Sequence, residues 1–559
     1  MSRRNRALLA AGAAAGLVLV GTYGAQAGFA PTPQGFTKDR SADLAAQIDS
    51  SKPRNVILII GDGMDDSMIT AARNYEKGAS GRFEGLDALP FTGAMTTHGL
   101  KAGEGPDYPI AYVSDSAPTA SGWSTGKKTI DGRISQGPST AANVPGEDYG
   151  TVLEEYKAQG KLVGNVSTAE VTDATPAAAA SHINARACQG PADMANCAPA
   201  KKSNGGKGSI AEQLVDNKID VLLGGGLNRY NQATDAGPSV KEYAEASHDY
   251  RFVGDKAGLD AVTSLDDGPV LGLFTGGNMT PEYKPLVATA PPGVGGPDTR
   301  CETADRGNQP DFAEMTAKAI ELLDNDKGFF LQAESAMIDK QEHASDICGA
   351  IGDLKALDEA VQVALDFQAE NPDTLIIVTG DHAHSTQIVG GPDQGRQTAT
   401  VKTADGDPMT VAYSTAASGS NHTGTQIRVA ASGPQAANVT GVIDQTDLYA
   451  TMLGRTPSTL PVTTTPAKPS ASVAAVRKLS SKELAKRGVS VAAAASASTS
   501  VKVSLVKGSK TLASKKVAKT GGVVTLKAKN VTGKVTVVIT ATGPGGKASA
   551  KTNLTITRR

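Results

Sequence analysis

The sequence predicts an α/β fold with a mostly parallel central sheet flanked by helices, followed by a small C-terminal all-β, sandwich-like module. Short apolar runs alternate with helical stretches between about residues 55 and 453, as expected when helices connect parallel strands. After residue 470 the pattern changes to clusters of β-branched residues between glycines, which is typical of a sandwich. At 559 residues the chain also exceeds what a single core usually supports.

The predicted strands of the first domain are apolar runs bounded by Gly, Asp or Thr, and each is too short to be a helix. They are residues 55–60, 162–166, 220–223, 329–332 and 374–379. Helices are predicted between them, the clearest at 312–325 and 351–368. In the C-terminal module a short helix is predicted at 479–488, low-complexity Ala/Ser at 489–499, and strands at 501–505, 522–526, 535–541 and 552–557.

The first 27 residues have the composition of a signal peptide. Three arginines precede an apolar run at 7–20, and Ala25-Gln26-Ala27 is a small-residue cleavage site. The run is shorter than the ~20 residues that cross a bilayer; an uncleaved anchor or a buried N-terminal helix are the alternatives. The adjacent Arg3 and Arg4 are compatible with twin-arginine export. We expect a secreted protein, with a first domain at 28–456, a Pro/Thr/Ser linker at 457–470 and a module at 471–559.

The C-terminal module is strongly basic. It contains 18 Lys or Arg and one acid, Glu483, although the whole chain has a net charge of −2. Such a module predicts binding to an anionic cell-wall polymer or another polyanionic surface. It has no Phe, Tyr or Trp to stack on bases, so no specific nucleic-acid recognition is expected. The alternative is an accessory domain whose lysines only aid solubility.

Four cysteines are present, an even number that favours disulfides in an exported chain. Three connectivities are possible, and we prefer Cys188–Cys197 with Cys301–Cys348. A thiolate metal site is the rival interpretation, but the chain contains no CxxC pair.

Chemically useful side chains follow nearly every predicted strand of the first domain. One such acid is usually a helix cap or turn former. Several at one sheet edge indicate a site, because ligands bind beyond the carboxyl ends of parallel strands. The residues are Asp62, Asp173, Thr175, Glu334, Asp381, His382 and His384.

Asp339 and His343 are four residues apart and therefore lie on the same side of a predicted helix. They could bind one ion, although such a pair is often only a surface contact. His422 lies in a similar polar segment. Mixed His and Asp ligands suit catalytic zinc, whereas oxygen groups such as Glu334 and Thr175 suit magnesium.

Ser116 is the candidate nucleophile. A strand-like run ends at Asp115, and Pro118 is suited to the first turn of a helix. Ser116 would lie at a helix N-terminus, where free amides favour an anionic oxygen or a phosphate. The alternative is that Ser116 is a simple N-cap.

Six short motifs occur in one order along the chain. Together they closely resemble the bacterial alkaline phosphatases, over about residues 55–453. The motifs are Gly61-Asp62-Gly63-Met64, Asp115-Ser116-Ala117, Asp173-Ala174-Thr175-Pro176-Ala177, Ile338-Asp339-Lys340-Gln341-Glu342-His343, Asp381-His382-Ala383-His384 and His422-Thr423-Gly424.

The resemblance implies a role for each candidate residue. Ser116 is the nucleophile that becomes phosphorylated, and Arg186 clamps the phosphate. Two zinc ions and one magnesium ion are implied, with Asp173 and Lys340 tuning the magnesium site and the phosphate, and His384 positioning ligands. The implied ligands are Asp339, His343 and His422 for one Zn²⁺, Asp62, Asp381 and His382 for the other, and Asp62, Thr175 and Glu334 for Mg²⁺.

The sequence departs from the family pattern at two places. Asp65 stands where the family usually has glycine, and it either alters metal affinity or points to solvent. Pro118-Thr119 replaces small residues behind the nucleophile.

The resemblance predicts a phosphatase acting on small phosphate monoesters, with a homodimer as a further expectation, and the predicted signal peptide makes it a secreted one. A phosphodiesterase or sulfatase of the same superfamily, or a noncatalytic wall- or phosphate-binding protein, are the alternatives.

Overall fold

The computed structural model describes residues 39–392, 395–413, 415, 420–454, 468–543 and 546–558. The predicted signal peptide and most of the predicted linker lie outside the described residues. The chain forms two compact units, residues 1–457 and 458–559. No helix in the described part of the chain is long and apolar enough to cross a membrane.

Unit 1 is built on a large sheet of ten strands. Their order is β16-β2-β15-β11-β1-β10-β5-β6-β8-β7. Only β15 runs antiparallel to its neighbours β11 and β2, so the predicted, mostly parallel α/β sheet is confirmed. The strands of unit 1 are β1 Asn55–Gly61, β2 Phe91–Thr96, β3 Gly99–Leu100, β4 Ile110–Ala111, β5 Leu162–Glu170, β6 Val221–Gly225, β7 Arg251–Val253, β8 Val270–Leu273, β9 Val294–Gly295, β10 Phe329–Ser335, β11 Thr374–Gly380, β12 Gln387–Val389, β13 Gln397–Lys402, β14 Pro408–Tyr413, β15 Ile427–Ser432 and β16 Gly441–Asp444.

Helices cover both faces of this sheet. The α-helices of unit 1 are α1 Ser41–Ala46, α2 Asp66–Lys77, α3 Ser116–Thr125, α4 Val152–Ala158, α5 Ala174–Ala178, α6 Ile210–Asp216, α7 Leu227–Tyr230, α8 Val240–His248, α9 Lys256–Asp260, α10 Phe312–Leu323, α11 Met337–His343, α12 Ile347–Glu370 and α13 Asp447–Met452. Short 3₁₀ helices occupy Pro191–Ala200, Lys202–Asn204 and Ala436–Val439.

The central strand β1 shows why the sheet is covered on both sides. All seven of its residues are buried, and its apolar side chains alternate between two cores. Ile57 and Ile59 pack in the layer of α2, α10 and α12, whereas Val56, Leu58 and Ile60 pack in the layer of α3, α4 and α6. A strand buried on both faces reads as a continuous apolar run, which is why the sequence revealed it.

Unit 2 contains two packed sheets, with strand orders β17-β19-β22 and β18-β24-β23-β20-β21. Valine, leucine and isoleucine side chains of both sheets share one core, so the predicted all-β module is confirmed. Its elements are β17 Ser470–Ala475, β18 Lys478–Ser480, α14 Ser481–Lys486, β19 Val489–Ser496, β20 Ser500–Lys507, β21 Lys510–Val517, β22 Gly521–Leu526, β23 Gly533–Gly543 and β24 Gly546–Thr557.

The segment predicted as low-complexity Ala/Ser is largely strand β19. Val489, Val491 and Ala493 face the core of unit 2, and the residues between them are exposed. An alternation with period two satisfies a half-buried strand even when the side chains are small.

Two disulfides join Cys188 to Cys197 and Cys301 to Cys348. These are the pairings preferred from the sequence. They use all four cysteines of the chain.

Candidate active site

Ser116 is the first residue of α3, and its side chain is buried. The N-cap of α3 is Asp115, whose Oδ1 accepts a hydrogen bond from the Ala117 backbone amide at 2.6 Å. The alternative that Ser116 is itself the N-cap is therefore wrong. Its hydroxyl is left to the site, where Oγ lies 3.3 Å from Nε2 of His382 and 3.4 Å from Oδ1 of Asp62.

Asp62, Asp381 and His382 are brought together by strand register. Gly61 of β1 pairs with Gly380 of β11 in parallel, so the next residue of each strand emerges at the same edge. Nε2 of His382 lies 3.4 Å from Oδ1 of Asp62 and 3.3 Å from Oδ2 of Asp381. All three side chains are buried, so their nitrogen and oxygen atoms converge on one small space beside Ser116.

A second cluster surrounds Asp339 of α11. Its Oδ1 lies 3.5 Å from Nε2 of His343, 3.4 Å from Nε2 of His384 and 3.2 Å from Nε2 of His422. The Nε2 atoms of His343 and His422 are 3.0 Å apart. These four residues have the geometry of a group that could hold a metal ion, as do Asp62, Asp339 and His382. His384, which was expected only to position ligands, therefore lies as close to Asp339 as the two other histidines of this cluster.

A third group is centred on Glu334 at the end of β10. In the sheet, Glu334 lies between Ile60 of β1 and Ser167 of β5, and the hydroxyl of Ser167 donates to its carboxylate. Thr175 of α5 is also buried. Ser167 was missed by the sequence reasoning, because a serine within an apolar strand carries no signal until its pairing partner is known.

Arg186, Asp173 and Lys340 form a chain of charges next to these clusters. Nη2 of Arg186 lies 2.6 Å from Oδ1 of Asp173, and Nζ of Lys340 lies 2.7 Å from Oδ2. Nη1 of Arg186 is 3.5 Å from Oδ1 of Asp115. Burial opposes ionisation of Asp173, but Lys340 and Arg186 outweigh it and hold the pKa of this carboxyl well below its usual value.

Three carboxylates of the site, Asp62, Asp381 and Glu334, have too little positive charge nearby to offset their burial. Burial, reinforced by Asp339 and Asp381, raises the pKa of Asp62 well above its ordinary value. Burial likewise raises the pKa of Asp381 to about 6 and that of Glu334 to about 7. Bound cations would reverse these shifts, because a cation favours the charged form of a carboxyl group.

Unpartnered buried atoms support the same conclusion. Among the described residues, Oδ1 of Asp339, Nε2 of His384 and Oγ1 of Thr175 are buried without a hydrogen bond of good geometry, although Oδ1 of Asp339 lies 3.2–3.5 Å from three imidazole nitrogens. Such atoms are costly unless they bind something. Imidazole and carboxylate groups suit zinc, and hydroxyl and carboxylate oxygens suit magnesium, so the residues present fit a metal centre.

Asp65 and Thr119, which depart from the family pattern, both make defined contacts. Asp65 is the N-cap of α2, with Oδ1 accepting from the amides of Ser67 and Met68 at 2.9 Å each. It is buried, so the expectation that it might point to solvent is wrong. Thr119 lies within the site rather than behind it, because its Oγ1 is 3.4 Å from Oδ2 of Asp381.

Comparison with known proteins agrees with this geometry. The family model described as alkaline phosphatase matches residues 53–420. The chain is 46% identical over 430 residues to the alkaline phosphatase of Escherichia coli, covering 75% of this chain and 89% of that protein. It is 45% identical to alkaline phosphatase H of Pseudomonas aeruginosa, covering 74% and 87% respectively. The solved structure of Thermus thermophilus alkaline phosphatase shares the fold, with a TM-score of 0.55 and 21% identity, over 76% of this chain and 96% of that one.

Proposed function

Because the chain belongs to the alkaline phosphatase family of hydrolases, we propose that it is a secreted phosphomonoesterase that acts through a phosphoserine intermediate at Ser116. The observation that carries this proposal is the position of the Ser116 hydroxyl. It lies at the N-terminus of α3, within 3.5 Å of the groups of Asp62 and His382.

We propose two zinc sites and one magnesium site at the three clusters. When bound, these cations stabilise negative charge on the reacting oxygens and lower the pKa of a neighbouring hydroxyl. The side chains that would hold them are Asp339, His343 and His422 for one Zn²⁺, Asp62, Asp381 and His382 for the other, and Asp62, Thr175 and Glu334 for Mg²⁺. His384 orients Asp339, whose Oδ1 it approaches to 3.4 Å.

The reaction proceeds by two in-line displacements at phosphorus. Oγ of Ser116 forms a bond to phosphorus while the bond from phosphorus to the ester oxygen breaks, and the alcohol departs with a proton. The positive end of the α3 helix dipole, at Ser116, favours the anionic phosphoryl group. A water oxygen then displaces Oγ, which yields inorganic phosphate and regenerates the hydroxyl of Ser116.

Arg186 binds the transferred group. Its guanidinium is a planar fork that can donate to two nonbridging oxygens, which a lysine cannot do. Asp173 accepts from Arg186 and also pairs with Lys340, so it fixes the direction of the fork. Arg186 and the Glu334 group together address the extra charge of a terminal phosphate, and this supports monoesters over diesters or sulfate esters. A higher rate on an aryl diester than on the matching monoester would refute that preference.

Ser116→Ala tests the nucleophile, with Ser114→Ala as the matched control two residues upstream. The Ser116 variant should lose nearly all monoester hydrolysis and all acid-trapped phosphoserine, while metal analysis finds unchanged zinc and magnesium. The Ser114 variant should keep the trapped phosphoserine. Full activity in the Ser116 variant would disprove the mechanism. Loss of hydrolysis in this variant would show that the unmodified protein is itself a catalyst, which excludes a noncatalytic binding protein.

The remaining proposals concern location and assembly. The N-terminal segment 1–27 and the disulfides support export, and the basic module at 471–559 supports retention at an anionic surface such as the cell wall. Deletion from residue 469 onward should release the enzyme from cells into the medium. A homodimer is proposed from family membership alone and is tested by sedimentation of the purified enzyme.

A further inference from the structure

The five-stranded sheet of unit 2 has one face buried in the core and one face that is outside it. Val503 of β20 and Ile539 of β23 are paired partners on the buried side. Their neighbours along each strand therefore point the opposite way, because successive side chains alternate between the faces of a sheet. The ladder pairings then define which residues share the outer face.

The outer face is rich in lysine. Lys547 and Lys551 lie four residues apart on β24, which places their Cα atoms about 13 Å apart. Lys502 of β20 pairs directly with Lys516 of β21, at a spacing of about 5 Å. We call this the lysine face; its six lysines are Lys478, Lys502, Lys516, Lys534, Lys547 and Lys551, and each is exposed.

Within the described residues, the charges of the lysine face are not neutralised. The residues between the lysines are threonines, serines, an asparagine and two valines, with no carboxylate among them. None of the six lysines has an ion pair with a residue in the described part of the chain. The hydroxyl and amide groups add hydrogen-bond donors among the ammonium groups.

The other outer face of the sandwich is different. In the three-stranded sheet, the residues that alternate with the core positions are exposed alanines, serines, a valine and a threonine, without a lysine. The charge of unit 2 is therefore not spread evenly over both sheets. One outer sheet face is neutral and smooth, and the other carries a two-dimensional array of lysines.

We propose that the lysine face binds a linear polymer with a phosphodiester backbone, which lies flat across the strands. Lysine is a point charge that attracts phosphate without demanding one orientation, and spaced lysines follow repeated backbone charges. The absence of aromatic side chains in 471–559 leaves nothing to stack on bases. The choice of a phosphate polymer over other polyanions rests on the proposed phosphatase function. The internal diesters of the polymer would anchor the enzyme, and its terminal monoesters would be substrate for unit 1.

The test uses the full-length protein and soluble poly(glycerol phosphate) as the probe. The face variant combines Lys502→Gln, Lys516→Gln, Lys547→Gln and Lys551→Gln. The control variant makes the same charge change at exposed lysines outside the five strands of this sheet, namely Lys482→Gln, Lys486→Gln, Lys527→Gln and Lys529→Gln. Binding is measured at several NaCl concentrations.

We expect the face variant to bind at least about tenfold more weakly at low salt and with a shallower dependence on salt, because fewer counterions are released. The control variant should lose less than about threefold. Equal losses in the two variants would overturn the proposal, because net charge alone would then explain binding. Absence of binding by the unmodified protein, or tighter binding of single-stranded DNA or of anionic vesicles through the same lysines, would overturn it as well.

Hydrolysis of a small aryl phosphate separates this proposal from the catalytic one. Both lysine variants should retain the activity of the unmodified enzyme, which also shows that they are folded. If the unmodified protein binds the polymer through the lysine face but hydrolyses no monoester, the proposed phosphatase function fails while the binding face stands.

Discussion

Replacing Asp173 with asparagine tests how much the charge chain of the active site contributes to stability. Asp173 contacts two cations, Arg186 at 2.6 Å and Lys340 at 2.7 Å, and its side chain is 14% exposed. The asparagine side chain would retain the shape and one hydrogen bond but remove the charge that both cations share. Breaking a buried ion pair costs about 3–5 kcal/mol, and a retained hydrogen bond returns about 1 kcal/mol. We therefore expect the free energy of unfolding to fall by about 3 kcal/mol.

The assay is urea unfolding at pH 7 of the chelator-treated, metal-free protein, because bound zinc or magnesium would add a stabilisation that depends on metal affinity and could differ between the variants. Glu245→Gln is the control, because it removes one partner of the more exposed i,i+4 pair between Lys241 and Glu245 and should cost less than about 0.5 kcal/mol. An equal loss in the two variants would refute the reasoning.

The pH dependence gives a second check on Asp173. Its pKa is lower in the folded enzyme than the ordinary value of about 4 in the unfolded chain. Its contribution is therefore complete above about pH 4 and is lost only as the pH falls through the folded pKa. The difference between the unmodified enzyme and the Asp173→Asn variant should be the same at pH 7 and pH 5. A difference that disappears by pH 5 would show that the cations do not hold this carboxyl ionised.

Four other perturbations give equally definite expectations. Arg186→Lys should lower kcat/KM for an aryl monoester about 100-fold, the equivalent of about 2.7 kcal/mol of charged hydrogen bonding, and an equal loss on the diester would contradict a clamp for terminal phosphate. Removing the disulfide by Cys301→Ala with Cys348→Ala should cost about 4 kcal/mol in chemical denaturation, because the bridge spans 47 residues; a loss below about 1 kcal/mol would contradict the chain-entropy account. Burial raises the pKa of Asp65 to about 6, so the ionised Asp65 carboxylate lowers the stability of the folded protein once the pH rises from the ordinary pKa through 6. The Asp65→Asn variant should therefore be more stable than the unmodified protein at pH 8, by on the order of 2 kcal/mol. In urea unfolding at pH 5, the stability difference between the two proteins should be smaller. After chelation, the raised pKa of Glu334, about 7, should make the protein less stable at pH 8 than at pH 6, and returning zinc and magnesium should remove that difference in thermal unfolding.

The sequence predicted the middle of the large sheet better than its edges. Strands β1, β5, β6, β10 and β11 are buried on both faces, so each reads as an uninterrupted apolar run. The predicted strands of unit 1 all overlap this group. The outer strands β2 and β16 have mixed burial, and β7 is three half-buried residues. Short strands of that kind do not differ from loops in their local composition.

Contacts within one helix, or between residues that follow adjacent parallel strands, could also be predicted from the sequence. Asp339 and His343 share a side of α11 because of the helical period, and His343 approaches Asp339 to 3.5 Å. Asp62 and Asp381 each follow a buried strand, and the two strands are neighbours. In each case the spacing along the chain, together with one regular geometry, already determines the relative positions.

Other contacts depend on the register and packing of separate elements. Ser167 meets Glu334 only because β5 pairs with β10 at that residue, and Asp115 rather than Ser116 caps α3 while lying near Arg186. The lysine face needs the pairings of five strands before its charges share one side. Local sequence determines which way a side chain points within its own helix or strand, whereas the partner it meets is determined by how distant segments pack against each other.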